Sequence, residues 1–186
     1  MITINERQLA RAEEVLRRIP NGAPIAIANV LNRAAEGARA AAVRKVRERY
    51  LIRAKDVNAT IRITKAKPDR LVAVVYAAGS PIVLSKFKVT PSQPVARQKK
   101  PVVARVTRGG GGPIRGAFLA RVQSGHVGVF RRAGRSRLPI KQLYGPSVPQ
   151  MLGHESVTSF VAERAGELME SRMEHEMQRL LRGVGR

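Results

Sequence analysis

The sequence predicts an α+β fold: an antiparallel, curved sheet with a long Ala-rich N-terminal helix and a long C-terminal helix packed on it. Three observations predict it. Apolar residues recur at three- and four-residue intervals across 24–50, and they do so again across 148–181. Between these stretches lie short alternating runs punctuated by Gly and Pro, the pattern of strands and hairpins rather than of helix.

Residues 6–18 read as a short amphipathic helix with Leu9, Ala12, Val15, Leu16 and Ile19 on one side, and Pro20-Asn21-Gly22 reads as a turn. The long helix that follows has Pro24 in its first turn. Its inward face is Ile27, Leu31, Ala34, Ala35, Ala38, Ala42 and Val46, and its opposite face carries Arg33, Arg39, Arg44 and Arg47. So many alanines permit close approach by a neighbouring element but supply little apolar area per residue.

Residues 53–60 read as a turn or short helix. In "TIRITKA" Ile61 and Ile63 alternate with Arg62 and Thr64, as a half-buried strand requires. After the Lys67-Pro68-Asp69 turn, "LVAVVYAAG" reads as a second strand, ended by Gly79, Ser80 and Pro81. Across 81–100, "VLSKFKV" has strand character, while Pro91, Pro94 and Gln98-Lys99-Lys100 point to irregular chain. "PVVARVTRG" at 101–109 is a further strand. The tract containing Gly109, Gly110, Gly111 and Gly112 reads as a flexible loop over 108–116. A hairpin follows, with strands at 117–123 and 127–132 around a Ser124-Gly125 turn, and then an extended segment along its edge. In the last helix Gly153 marks an interruption, and Val157, Phe160, Val161, Leu168, Met169, Met173, Leu180 and Leu181 form an apolar stripe. The expected organisation is an N-terminal short helix or arm at 1–22, one α+β domain at 23–181, and a frayed tail at 182–186.

Charge narrows the function classes. Lys and Arg number 35 against 13 acidic residues, a formal +22, which points to a polyanionic partner. Between Asp69 and Glu155 there is no acidic residue and there are fifteen basic ones, whereas the chain from Met151 onward is nearly neutral. That asymmetry predicts a polyanion-facing body and a C-terminal element facing protein or solvent. Arg131, Arg132, Arg135, Arg137 and Lys141 form one basic group, and Arg97, Lys99 and Lys100 form a second. Groups of this kind neutralise phosphates without reading bases.

Catalytic and cofactor chemistry find no support. The chain has no Cys, so disulfides, thiol catalysis and thiolate metal sites are excluded. His126, His154 and His175 are scattered without ligand spacing, and no carboxylate pair occurs in the strand region. The glycine tract lacks the Gly-Lys-Ser/Thr ending of a phosphate-binding loop. Charges run through the apolar pattern of the N-terminus, unlike a signal peptide, and no apolar run is long enough to cross a bilayer. The expectation is a non-enzymatic protein without cofactors or membrane contact.

The segment "GRSRLPIKQLYGPSVPQML", residues 134–152, resembles the signature region of phage minor tail protein Z, the tail-completion family of long-tailed phages. The residues that carry the resemblance are Phe130 to Arg132, Leu138-Pro139-Ile140, Leu143, Gly145-Pro146-Ser147 and Val148-Pro149-Gln150. The Ala-rich helix followed by "IRAKDVNATIRITKA" is similar as well, so the resemblance spans roughly residues 20–181. It implies a virion protein that finishes the head-proximal end of the tail and supports head–tail joining as a homo-oligomeric ring, hexameric by analogy with other neck proteins. It further implies neighbours among tail terminator, tape measure and head-connector proteins, with phage DNA passing through the channel, and no catalytic residues. Physically, Gly145-Pro146-Ser147 makes a corner with Ser147 as helix N-cap, and Leu138, Ile140 and Leu143 are expected to pin the preceding segment to the core. The competing reading from charge alone is a non-specific DNA- or RNA-binding protein acting free of any particle.

Overall fold

A computed structural model describes residues 6–16, 22–96 and 98–184 of the chain. Ile19, Pro20, Asn21, Arg97 and the last two residues lie outside that set, as does the side chain of Leu9. Helix α1 is Glu6–Val15, α2 is Gly22–Arg49, α3 is Ala54–Asn58, α4 is Val148–Leu152 and α5 is Glu155–Val184. The strands are β1 Ile61–Thr64, β2 Val74–Ala77, β3 Lys88–Thr90, β4 Val102–Arg105, β5 Gly112–Ile114, β6 Ala117–Arg121, β7 Val127–Arg132 and β8 Ile140–Gln142. The chain divides into two units, one formed by residues 1–43, 61–77 and 154–186 and the other by 44–60 and 78–153.

The first unit is built on helices. In α2, Ala26, Val30, Ala34, Ala38 and Ala42 are buried at intervals of four, and in α5 so are Ala165, Met169, Met173 and Met177. Rows of this spacing are the ridges by which two helices interdigitate. Small alanines on one side let the long, flexible methionines fill the gap from the other. Ala12 and Leu16 of the α1 segment complete the cluster, with Leu31, Leu168 and Leu180 packed at its margin. Each fully buried methionine contributes about 1.5–3 kcal/mol relative to exposure. The polar seam is specific too: Asn29 Nδ2 donates to Glu176 Oε2 at 3.2 Å, and Arg179 pairs with the same carboxylate at 2.8 Å.

One expectation is corrected here. Among the described residues there is no single curved sheet with the helices laid on it. The strands form three separate open ladders, ordered β1-β2, β3-β4-β5 and β6-β7-β8, and the long helices bury their apolar rows against each other. The physical reason lies in the connections. Proline cannot donate a ladder hydrogen bond, and Pro91 and Pro94 fall where β3 would otherwise continue. The strands are only three to six residues long.

In the β1–β2 hairpin Ile61 is paired with Ala77 and Thr64 with Val74. Asn32 of α2 clamps its connecting loop on the helix, accepting from Ala66 N–H at 2.8 Å and donating to Ala66 O at 3.0 Å. Strand β2 nonetheless exposes Val74, Val75 and Tyr76, and Leu71 and Val72 ahead of it are exposed as well.

The second unit holds the other two ladders. Of the 108–116 segment, Gly112–Ile114 is strand β5, with Gly112 opposite Ala104. Gly111 has φ +138°, and a Cβ there would lie 2.7 Å from Ala104 O and 2.8 Å from Arg105 Cα. Only glycine fits that backbone. Gly111→Ala is therefore expected to destabilise the protein by about 1–3 kcal/mol. Gly109→Ala, whose Cβ meets nothing within 4 Å, should stay within about 0.5 kcal/mol of the parent in chemical denaturation. Equal effects of the two substitutions would contradict the assignment.

Candidate nucleic-acid interface

Strand β7 carries the first basic group out of the core. Val129 and Phe130 are buried, the Phe130 ring lying 6.3 Å from that of Phe118, and Arg131 and Arg132 follow in the open. The chain then loops through residues 133–139, all exposed, and is closed where Ala133 N–H donates to Pro139 O at 3.0 Å. It returns as β8 with Lys141 directly opposite Arg131. The fold thus gathers Arg131, Arg132, Arg135, Arg137 and Lys141 at one end of the β7–β8 ladder.

The second group is anchored on the same ladder. Gln98 Nε2 donates to Lys100 O at 2.8 Å, while Gln98 Oε1 accepts from Leu119 N–H at the edge of β6. Lys99 and Lys100 are exposed beside that anchor, and Arg97 lies outside the described residues. Sequence reasoning missed a further pair, Lys88 of β3 and Arg105 of β4, which are exposed and directly opposed. Their common feature is register, which a linear reading does not supply.

By sequence, the unit formed by 44–60 and 78–153 contains 20 basic and two acidic residues, +18 of the total +22. Both acids are engaged. Glu48 accepts from Lys45 Nζ at 2.8 Å, and that hydrogen bond, aided by the charges of Lys45 and Arg44, holds its carboxyl below the usual range. Asp56 pairs with Lys86 at 2.8 Å, its carboxylate largely covered. Among the described residues, no ion pair reaches Lys88, Arg105, Arg131 or Lys141. The other unit has 15 basic and 11 acidic residues, +4.

The corner differs in part from expectation. Leu138 is 67% exposed and does not pin the segment; the peptide between it and Pro139 is cis. Ile140, Leu143 and Pro146 are half-buried. Backbone bonds hold the corner instead: Leu84 N–H donates to Leu143 O at 3.1 Å, Leu143 N–H to Val129 O at 2.8 Å, and Gly145 N–H to Ile82 O at 2.8 Å. Ser147 is buried and caps α4 in a reciprocal box. Its Oγ accepts from Gln150 N–H, and its own N–H donates to Gln150 Oε1 at 2.9 Å.

Ser147, His126 and His154 are engaged in local structure. Ser147 Oγ belongs to the cap, His126 Nε2 lies 2.8 Å from Gln142 Nε2, and His154 Nδ1 lies 3.0 Å from Ser156 Oγ. Among the described residues, no group of three or more His, Asp or Glu side chains could hold a metal ion. No helix among them is long and apolar enough to cross a membrane.

A family model described as prophage minor tail protein Z matches residues 7–185. Comparison with curated proteins and with solved structures gave no significant match.

Proposed function

The chain belongs to the prophage minor tail protein Z family, and from that premise we propose that it is a structural, non-catalytic virion protein completing the head-proximal end of the phage tail. It supports head–tail joining as a closed ring of copies around the DNA channel, with six-fold symmetry as the working geometry. Its neighbours in that position are the tail terminator, the tape measure or a head-connector protein.

The observation that carries this reading is the family match across nearly the whole chain. The distribution of surface character supports the finer parts. One unit concentrates +18 of the formal charge, suited to the phosphate backbone in the channel. The other is close to neutral and exposes Val74, Val75 and Tyr76 on a strand with a free edge, with Leu71 and Val72 exposed just ahead of it, a surface suited to contact with a neighbouring copy. A hexamer would carry six times +22, a formal +132, so a ring of this chain calls for DNA or acidic neighbours as counter-charge.

The same charge favours a second reading, a nucleic-acid-binding protein that acts free of the particle. Deleting the gene separates the two. The tail reading expects tails and DNA-filled heads that fail to join until the gene is supplied in trans. Normal joining and infectivity in the deletion strain would overturn it.

A further inference from the structure

Two places in the basic unit set like charges directly across a ladder: Lys88 opposite Arg105 on β3–β4, and Arg131 opposite Lys141 on β7–β8. Cross-strand partners project from the same face of a sheet, with Cβ atoms about 4.5–5.5 Å apart, and like charges so placed destabilise the pair. All four side chains are exposed and unpaired with any acid among the described residues. Folding gains nothing from such an arrangement; an external anion does.

We propose that Lys88 and Arg105 form a second phosphodiester-binding site, on a different ladder from the Arg131–Lys141 group, and that this chain holds duplex DNA by its backbone at both. The inference rests on the reading of a DNA-facing surface above and extends it to residues outside the arginine-rich loop. Duplex DNA is favoured over an acidic protein because protein interfaces are built around an apolar centre from which lysine is depleted. Among the described residues, the exposed large apolar side chains of this unit are Val95, Leu138 and Tyr144, none of them on β3 or β4. Neither pair has the bidentate base-edge geometry of direct readout as a requirement. Backbone contacts of this kind carry no sequence preference.

The test is fluorescence anisotropy of the full-length protein on a short labelled duplex of mixed sequence, titrated across a salt series, with melting temperatures measured in parallel. For the double substitution Lys88→Gln and Arg105→Gln, the slope of log affinity against log salt should become shallower by about 1.8, and low-salt affinity should fall roughly ten-fold or more. The melting temperature should hold or rise, since a repulsive pair has been removed. This opposite movement of stability and binding is what a merely structural pair would not produce. Should the double variant fail to fold, Lys88→Glu places unlike charges across the same register and must still weaken DNA binding. An unchanged slope overturns the inference. If the slope is unchanged while incorporation into tails is lost, the pair serves an acidic protein neighbour, and the tail reading stands without this site.

Discussion

Replacing Gly145 with valine is expected to destabilise the protein by about 3 kcal/mol, a fall in melting temperature of roughly 6–12 °C. A Cβ at Gly145 would lie 2.7 Å from Cε2 and 3.1 Å from Cζ of Phe87. Phe87 is itself buried, so its ring has little room to withdraw without vacating part of the core. Gly145 also donates its N–H to Ile82 O, so its displacement would strain the backbone ladder that holds the corner against residues 82–84. Gly134→Val serves as the control, since a Cβ there meets nothing within 4 Å. A soluble Gly145→Val protein with unchanged melting would remove the corner from the account.

The second large effect concerns charge. Substituting Arg131, Arg132, Arg135 and Arg137 together with glutamine should leave melting nearly unchanged, because all four side chains are exposed and lie outside the ion pairs of the described residues. Each phosphate contact contributes about 0.9 to the salt slope, so four lost contacts make it shallower by about 3.6. Affinity for duplex DNA at low salt should fall steeply, and equally for different sequences. A salt slope equal to that of the parent would show that these arginines are not phosphate ligands, whatever else they contact.

Much of the local structure was legible in the sequence, and for identifiable reasons. The four-residue spacing of Ala34, Ala38, Ala42 and Val46 marks α2, and each of these residues is buried. The Ser124-Gly125 turn between alternating runs marks the β6–β7 hairpin, and β7 has the bounds that its alternation implies. Ser147 caps a helix, as its place after Gly145-Pro146 suggests. The resemblance carried by residues 134–152 agrees with a family match over 7–185.

What the sequence did not disclose depends on contacts distant along the chain. Alternation identifies a strand but not its partner, so three small ladders cannot be told from one curved sheet in the sequence. Leu138 looked like a core residue by type, yet it sits on an exposed loop whose closure is made by backbone atoms. The need for glycine at Gly111 comes from β4 passing beneath it, which composition alone cannot tell from simple flexibility. Lys88 and Arg105 are seventeen positions apart in the chain and become a pair only through the β3–β4 register.

The central claim is that this chain is a stoichiometric part of the tail. Quantitative mass spectrometry of purified, nuclease-treated phage particles tests it most directly. The account predicts a small fixed number of copies per particle, close to that of a single ring. Absence of the protein from intact particles, with abundant protein in the lysate, would contradict it.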